Sequence, residues 1–377
     1  MTFSSPDHSI TGSEKKASPQ SATITIRFTT PAFLGGADGS SEIRTPPIKA
    51  LLRRCWRLAA ASSYQYDFQM LREAEGNLFG HAWLKNNGKA WAMKSPITIG
   101  VYQKNTKYLT TWGRDPKTKH VEVERVADRM IGSHLYLGYG PLIPKGKTDL
   151  KTPPALDAGT ELEIRFSGCG IGQLASQLQQ ILTVMHWVES LGGRSRNGWG
   201  SFIISSVKGC EFKPSKPSDD LSSMSQPLGQ CLARCWPAAI GKDNKGLLSW
   251  TTKNTFSSWD LVMQELARLK IGLRTQFDFQ GQNFQRRHVI AYPVTNHYIG
   301  QNRYDDKWKD QRLTNQLRLK TVQEANGFKG CIVHVPAGIP DHIIRLLSRE
   351  DQNKVKQYET EVWPLIHQYL DREATRW

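Results

Sequence analysis

The chain has 377 residues, of which 38% are hydrophobic, so it is long enough to form two domains with apolar cores of their own. It carries 50 Lys and Arg residues against 34 Asp and Glu residues, and the formal net charge of +16 favours a polyanionic partner, with nucleic acid as the leading candidate. No apolar run is long enough to span a membrane, and the first twenty residues lack the apolar centre of a signal peptide. We therefore expect a cytoplasmic protein without a membrane partner.

The periodicity of apolar residues predicts the elements of the first half. Residues 1–21, rich in Ser, Lys and Pro, are expected to form a disordered tail. In residues 22–30, Ile24, Ile26 and Phe28 alternate with polar residues, as on a strand with one buried face. The further elements predicted here are a helix at 46–61, a strand at 160–168, a helix at 171–190, a Gly-rich loop at 192–201 and a strand from 201 onward.

This order of elements is compatible with a ferredoxin-like βαββαβ unit, in which two helices cover one face of an antiparallel sheet. We assign the unit to residues 22–213, with an inserted segment at about 62–158. The pattern is looser in that segment, where we expect strands near 78–84 and 95–102 and a charged helix near 121–132.

A polar segment rich in Pro and Ser, residues 214–228, is predicted to be a linker between two domains. Residues 229–377 form the second predicted domain, a mixed α/β unit, and the fold class expected for the chain is α+β. The elements predicted in this domain are a helix at 256–270, strands near 288–293, 315–322 and 329–335, and a helix from about 351 that Pro364 kinks or divides.

The Gly-rich loop GGRSRNGWGS, residues 192–201, has the composition of a phosphate-binding loop. Glycines allow close backbone approach, so that N–H groups point at an anion, while Arg194 and Arg196 supply charge and planar donors. The alternative is a tight helix-to-strand turn with solvated arginines, and composition alone does not decide between the two. The loop lacks the GK[ST] ending of a nucleotide-binding P-loop, which argues against ATP.

The first predicted helix carries a basic face made of Lys49, Arg53, Arg54 and Arg57. Taken alone, such a face is typical of a solvated helix surface. Together with the Arg-rich loop and the net charge, it favours binding to the backbone of RNA or DNA.

Four sequence runs resemble the motifs of the RAMP proteins of CRISPR systems, and in particular the family of first-numbered subunits of type III-B (Cmr) RNA-guided effector complexes. The runs are RFTTPAFLGGAD, RTPPIKALLRRCWR, LYLGYGP and GGRSRNGWGS, and they occur in the order typical of the family within residues 22–210. The helix run departs from the family pattern at Lys49, Ala50 and Cys55. A less specific run, RLKTVQEANGFKGCIVHVP at 318–336, resembles the C-terminal strand and hairpin of the family.

The resemblance implies two RRM-like, ferredoxin-like domains and a non-catalytic subunit at one end of a multisubunit complex. The partners implied are other subunits of the complex and guide RNA (crRNA) near its 3′ end, or target RNA paired to it. Base pairing would then read the sequence while the protein contacts the backbone. The RNA-binding residues predicted from the motifs are Arg44, Lys49, Arg53, Arg54, Arg57, Gly192, Gly193, Arg194, Arg196, Gly198, Gly200 and Arg318.

Two alternative functions remain at this point, a metal-independent endoribonuclease and a general basic RNA-binding scaffold. Asp38 lies in a loop comparable to the catalytic loop of a related subunit, but a lone Asp in a Gly-rich turn is typical of an Asx-turn. His134, His186 and His288 fit structural positions better than that of a general base. No catalytic residue is therefore predicted.

Other side chains leave two interpretations open. Tyr136, Tyr139 and Trp199 are candidates to stack on bases, or they pack in the core. Cys231 and Cys235 form a C-x3-C pair without a second pair nearby, which is weak evidence for zinc. We predict no metal and no cofactor.

Overall fold

The computed structural model describes residues 21–36, 41–86, 88–123, 127–279, 281–294, 297–313 and 315–377. The predicted tail lies outside these residues except for Ser21, which begins the first strand. The α-helices of the described residues are α1 (Thr45–Ala60), α2 (Phe68–Phe79), α3 (Ser133–Gly138), α4 (Ile171–Trp187), α5 (Pro217–Asp220), α6 (Leu228–Leu232), α7 (Trp259–Thr275), α8 (Arg286–Ile290), α9 (Asp341–Ile344) and α10 (Arg349–Glu373).

Short strands accompany these helices and make the fold a mixed α+β one. The strands of the described residues are β1 (Ser21–Phe28), β2 (His81–Asn86), β3 (Lys89–Met93), β4 (Thr98–Asn105), β5 (Tyr108–Leu109), β6 (Lys117–Lys119), β7 (Met130–Gly132), β8 (Leu142–Lys145), β9 (Lys147–Leu150), β10 (Ala155–Leu156), β11 (Glu161–Ser167), β12 (Phe202–Lys208), β13 (Ser225–Pro227), β14 (Ile240–Asp243), β15 (Gly246–Leu247), β16 (Ser249–Thr251), β17 (Leu317–Glu324), β18 (Gly327–His334) and β19 (Thr375–Arg376).

The first four-stranded sheet has the order β12-β1-β11-β4, and every neighbouring pair is antiparallel. If the four strands are numbered by their position along the chain, they lie in the sheet in the order fourth, first, third, second. Helix α1 follows the first of these strands and α4 follows the third. The central strand β1 pairs with β11 so that Ile24 lies opposite Ile164. Both side chains are fully buried in the core with α1 and α4, as their alternation with polar residues predicts.

The second four-stranded sheet has the order β17-β18-β16-β19 and is also antiparallel throughout. Counted in chain order, its strands again run fourth, first, third, second when the sheet is read from the β19 edge. Helix α7 follows its first strand and α10 follows its third. The order of elements is therefore βαββαβ in both halves of the chain.

Strand β17 joins the two halves, because both of its faces are buried. Leu317 and Leu319 belong to the core of the second sheet, whereas Lys320 reaches back to α4 of the first half. The backbone adds a further connection, since the N–H of Leu319 donates to the carbonyl of Arg196 at 3.1 Å. Strand β17 thus contacts both halves of the chain.

Several predicted elements differ from the structure. Residues 78–84, predicted as a strand, hold the end of α2 and the start of β2, and residues 288–293, also predicted as a strand, begin in α8. The charged helix near 121–132 is absent among its described residues, which contain a three-residue 3-10 turn (Ala127–Arg129) and β7. These segments are too short for the spacing of their apolar residues to distinguish a helix from a strand. Contacts with the rest of the fold therefore decide their conformation.

Two further predictions concern the second half. The segment 214–228 contains α5, a 3-10 turn and β13, and its Leu221 and Met224 are buried in the core of the first sheet. The domain boundary placed there stays a prediction. Helix α10 runs through Pro364 as a single helix from Arg349 to Glu373, so Pro364 does not divide it. Among the described residues, no helix combines the length and the apolar character that crossing a membrane requires.

Candidate nucleic-acid interface

The Gly-rich loop of residues 192–201 joins α4 to β12 and packs closely against other backbone segments. Gly200 has a φ of 63°, and a Cβ there would lie 1.8 Å from the carbonyl oxygen of Leu191. Gly192 has a φ of 100°, and a Cβ there would lie 2.7 Å from the carbonyl oxygen of Phe33. Both positions require glycine because the backbone is left-handed and because other backbone atoms occupy the space of a side chain.

The glycine amides of this loop are used by the protein itself. The N–H of Gly193 donates to the carbonyl of Phe33 at 2.8 Å, and the N–H of Gly200 donates to that of Pro31 at 2.8 Å. The N–H of Gly198 donates within the loop at 3.4 Å. These three glycine amides therefore have acceptors within the protein, and the glycines shape the loop.

The two arginines of the loop have different environments. Arg194 is exposed at the tip with a φ of 56°, and its guanidinium lies beside Gly140. Arg196 is half-buried and donates to the carbonyl of Asn315 at 3.5 Å. Burial, followed by the charge of Arg318, lowers the pKa of Arg196 to about 9. Arg194 is therefore the member of the pair that faces solvent.

Glu189, two residues after the end of α4, has a buried carboxylate that several predicted RNA-binding cations approach. Arg54 donates to it at 3.2 Å, and Nε of Arg318 lies 3.6 Å from it. Burial opposes the charged form, but the charges of Arg318, Arg54 and Arg196 hold the pKa of Glu189 below its ordinary value. Arg318 is itself buried, so it contacts the protein interior.

The arginines on the other side of α1 contact Glu75 of α2. Arg53 forms an ion pair with its carboxylate, and Arg57 donates to it from Nε and, at 2.8 Å, from Nη2. The Glu75 side chain is buried although both guanidinium groups remain partly exposed. Arg53 and Arg57 therefore hold α1 against α2.

Arg44 and Lys49 complete the predicted set near α1. Arg44 is exposed, donates to the carbonyl of Gly35 at 2.8 Å and lies 3.8 Å from Glu42. Lys49 is half-buried, and burial, followed by the charge of Arg53, lowers its pKa. No carboxylate of the described residues forms an ion pair with Lys49.

A cleft of about 350 Å³ opens beside the Gly-rich loop. Phe33 and Pro141 provide apolar walls, Gly193 also lines the cleft, and Lys151 lies on the lining and is exposed. Arg194 follows Gly193 directly and is exposed, and its guanidinium lies beside the lining residue Gly140. None of the described lining residues is acidic, so the cleft combines an apolar surface with positive charge.

Lys151 was not singled out from the sequence. Lys145, Lys147 and Lys151 are all exposed and lie in or directly after the β8–β9 hairpin, which follows the LYLGYGP motif. This concentration of lysines next to a glycine-containing motif is the sequence feature that could have identified Lys151 as a candidate.

Comparison with solved structures finds chains to which this one is similar at low identity. The chain is similar to Cmr1 from Pyrococcus furiosus. The two are 15% identical, the alignment covers 83% of this chain and 87% of Cmr1, and the TM-score is 0.41. A chain of the type III-B Cmr-beta complex bound to cognate target RNA is 11% identical over 50% of this chain and 59% of that one, with a TM-score of 0.29. No protein-family model and no curated protein matches the chain.

The aromatic candidates are one core residue, one half-buried residue packed against that core, and one exposed residue next to the cleft. Trp199 is fully buried, with its ring centroid 5.4 Å from those of Phe33 and Trp112. It therefore packs in the core. Tyr136 is half-buried and burial raises its pKa, whereas Tyr139 is 61% exposed next to the cleft residue Gly140.

The histidines considered as general bases occupy structural positions. His186 accepts a hydrogen bond from the N–H of Ile204 at 3.2 Å, and burial lowers its pKa to about 3. His288 accepts one from the N–H of Gln285 at 2.9 Å, and burial lowers its pKa to about 4. His134 is also buried, and its ring stacks on a tryptophan. Each ring supports the fold around it.

The remaining candidates are Asp38 and the cysteine pair. Asp38 lies outside the described residues. Cys231 is buried, which raises its pKa to about 11, whereas Cys235 is exposed. The described part of the chain contains no group of three or more His, Cys, Asp or Glu side chains placed to hold a metal ion.

Proposed function

We propose that the chain is a non-catalytic RNA-binding subunit of a type III-B CRISPR effector complex. It contacts guide RNA (crRNA) near its 3′ end, or the target RNA paired to it, and it assembles with other subunits of the complex in the cytoplasm. Two kinds of evidence support the proposal: the four RAMP-like motifs in their usual order, and the basic cleft. The observation that carries it is the exposed Arg194 beside an apolar cleft that also contains Lys151.

The chemistry of the cleft suits single-stranded RNA. A guanidinium binds phosphate with two parallel donors, and an ammonium adds a second positive charge. Phe33 and Pro141 offer apolar surface to a base or a ribose. The cleft volume of about 350 Å³ is at the lower end of the range of about 300–1,000 Å³ for ligand pockets. It suits one nucleotide of a strand and is too small for a duplex.

The proposal also covers the architecture. We propose that the two βαββαβ units are ferredoxin-like domains of the RRM-like kind, and that the first extends over residues 22–213 and the second over 229–377. The strand order shared by the two sheets supports this assignment. In such a complex the guide reads sequence by base pairing, so the protein needs only contacts to phosphate, ribose and shape.

The test is the RNA affinity of an Arg194→Gln, Lys151→Gln double variant. We expect affinity for single-stranded RNA at low salt to fall about tenfold or more, because charge-assisted hydrogen bonds to phosphate are lost. The slope of log affinity against log salt should flatten by about 0.7 for each lost phosphate contact. Fluorescence anisotropy over a salt series measures both quantities.

The matched control is the Arg345→Gln, Lys309→Gln double variant, which removes the same charge from two exposed positions elsewhere. Thermal unfolding should show that neither variant changes stability by more than about 0.5 kcal/mol, as is usual for exposed positions. Equal RNA affinity and equal salt slope in the two folded double variants would overturn the proposal.

A further inference from the structure

A second group of cations lies where the Gly-rich loop meets α7. Lys270 of α7 donates to Oδ1 of Asn197 at 2.7 Å, and Asn197 is oriented by its own bond to the carbonyl of Leu137 at 2.9 Å. Arg274 lies one turn further along α7, on the same face. The loop of the first half and a helix of the second half are therefore joined by side-chain hydrogen bonds.

The positive charges of this group are not balanced by carboxylates. The charges of Arg274 and Arg194 both act on the Lys270 ammonium. Burial, followed by these two charges, lowers the pKa of Lys270 to about 7. In the described part of the chain neither Lys270 nor Arg274 forms an ion pair with a carboxylate. The nearby Glu122 pairs with Arg287 instead.

Uncompensated cations that are held close together attract an anion, because each one raises the cost of keeping the others charged. A phosphodiester group supplies the missing negative charge and accepts from guanidinium and ammonium donors together. Arg194 links this group to the cleft, because it is the loop residue next to the lining residue Gly193 and it also acts on Lys270.

We propose that Lys270 and Arg274, together with Arg194, form a second phosphate-binding site for the RNA strand that occupies the cleft. The strand then passes from the cleft across the Gly-rich loop to α7, so that both halves of the chain contact one RNA. This inference rests on the proposed function, since it assumes that RNA binds at the cleft.

The main variant is Arg274→Gln, tested with single-stranded RNA of about ten nucleotides. We expect its affinity to fall about tenfold, with a salt slope flatter by about 0.7, the value for one lost phosphate contact. The control is Arg268→Gln on the same helix, since Arg268 is occupied by Glu265 and Glu373. It should leave affinity and slope close to those of the wild type. Arg274→Lys should recover part of the affinity, because it restores the charge.

Lys270 adds a signature that a structural residue would not show. Bound phosphate favours its charged form, so RNA binding takes up a proton above pH 7, and affinity falls as the pH rises from 6.5 to 8.5. The groups that face Lys270 are Arg274, Arg194, Tyr136 and Asn197. Lys270→Arg stays charged over this range, so its affinity should be high and independent of pH. Calorimetry in two buffers of different ionisation enthalpy measures the proton uptake.

The outcomes separate this inference from the proposed function. If the Arg194, Lys151 variant loses RNA affinity while folded Arg274→Gln binds as the wild type does, the second site is overturned and the cleft remains. If no variant changes RNA affinity, both are overturned. If the Lys270 variants fail to fold, the comparison of Arg274→Gln with Arg274→Lys decides the question.

Discussion

At the scale of single residues, the structure turns several basic side chains away from solvent. Lys320 in β17 is fully buried, and its ammonium donates to the carbonyls of Met185 and Glu189 at the end of α4. Those carbonyls have no helical partner because they lie at a helix C-terminus, where a cation is favourable. Burial still lowers the pKa of Lys320 to about 7.

This position predicts a pH dependence of stability. Lys in an unfolded chain has a pKa of about 10.4, so between pH 7 and pH 10 the unfolded state binds the proton more tightly than the folded state does. The contribution of Lys320 therefore makes the protein more stable as the pH rises through this range. Lys320→Met should remove that gain and should cost about 2 kcal/mol by leaving two carbonyls without a donor.

Urea unfolding at pH 7, 8 and 9 measures the effect. The control is Lys309→Met, since Lys309 is exposed. Relative to this control, the free energy of unfolding of Lys320→Met should increase less with pH. Parallel pH profiles for the two variants would contradict the assignment of the low pKa to Lys320.

At the scale of elements, the basic residues of α1 contact two different parts of the fold. The helix predicted at 46–61 is confirmed, and its Ile48 and Leu52 are buried in the core. Of the four basic residues predicted as one RNA-binding face, three form ion pairs within the fold, with Glu75 on one side and with Glu189 on the other. Two carboxylates thus face the four cations of this helix, and one of them, Glu189, is shared with Arg318, so the helix keeps a net positive charge.

We expect the Arg53→Gln, Arg57→Gln double variant to lose about 3 kcal/mol of stability, because breaking a buried ion pair leaves Glu75 charged and unpaired. Adding Glu75→Leu should recover part of the loss, since no buried charge then remains. Denaturant unfolding of the double and triple variants measures both steps. Unchanged stability of the double variant, accompanied by weaker RNA binding, would restore these arginines to the RNA interface.

At the scale of the whole molecule, each half contributes buried apolar side chains to the core of the other half. Ile240 and Val333 of the second half are buried in the core of the first sheet, and Trp112 and Trp199 of the first half are buried in the core of the second. Removing either half would expose these side chains to water, and the cost grows with the apolar area uncovered.

We therefore expect residues 21–213 and residues 214–377 each to be poorly folded alone and to form a soluble complex when produced together. Near-UV circular dichroism of the separate and mixed fragments measures this. As a control, a protease site placed at exposed residues 213–216 should allow the intact protein to be cut without loss of its fold. Two fragments that each unfold cooperatively on their own would contradict the inference that each half needs the side chains of the other.

The sequence by itself determined the parts of the protein that have a local signal. The alternation of Ile24 and Ile26 predicted β1, and the periodicity of apolar residues predicted a helix at 171–190, where α4 lies. Each of these signals lies within one short stretch, where the period of the apolar residues already reflects which face is buried.

The tertiary structure decided which of the basic residues remain free to act. Arg54 meets Glu189 across 135 positions of the chain, and Arg194 comes near Lys270 only because the Gly-rich loop packs against α7. No local pattern encodes such pairings, since they depend on how separate elements pack. The physical reason is that a cation is neutralised, buried or exposed by its neighbours in space, and only the folded chain brings those neighbours together.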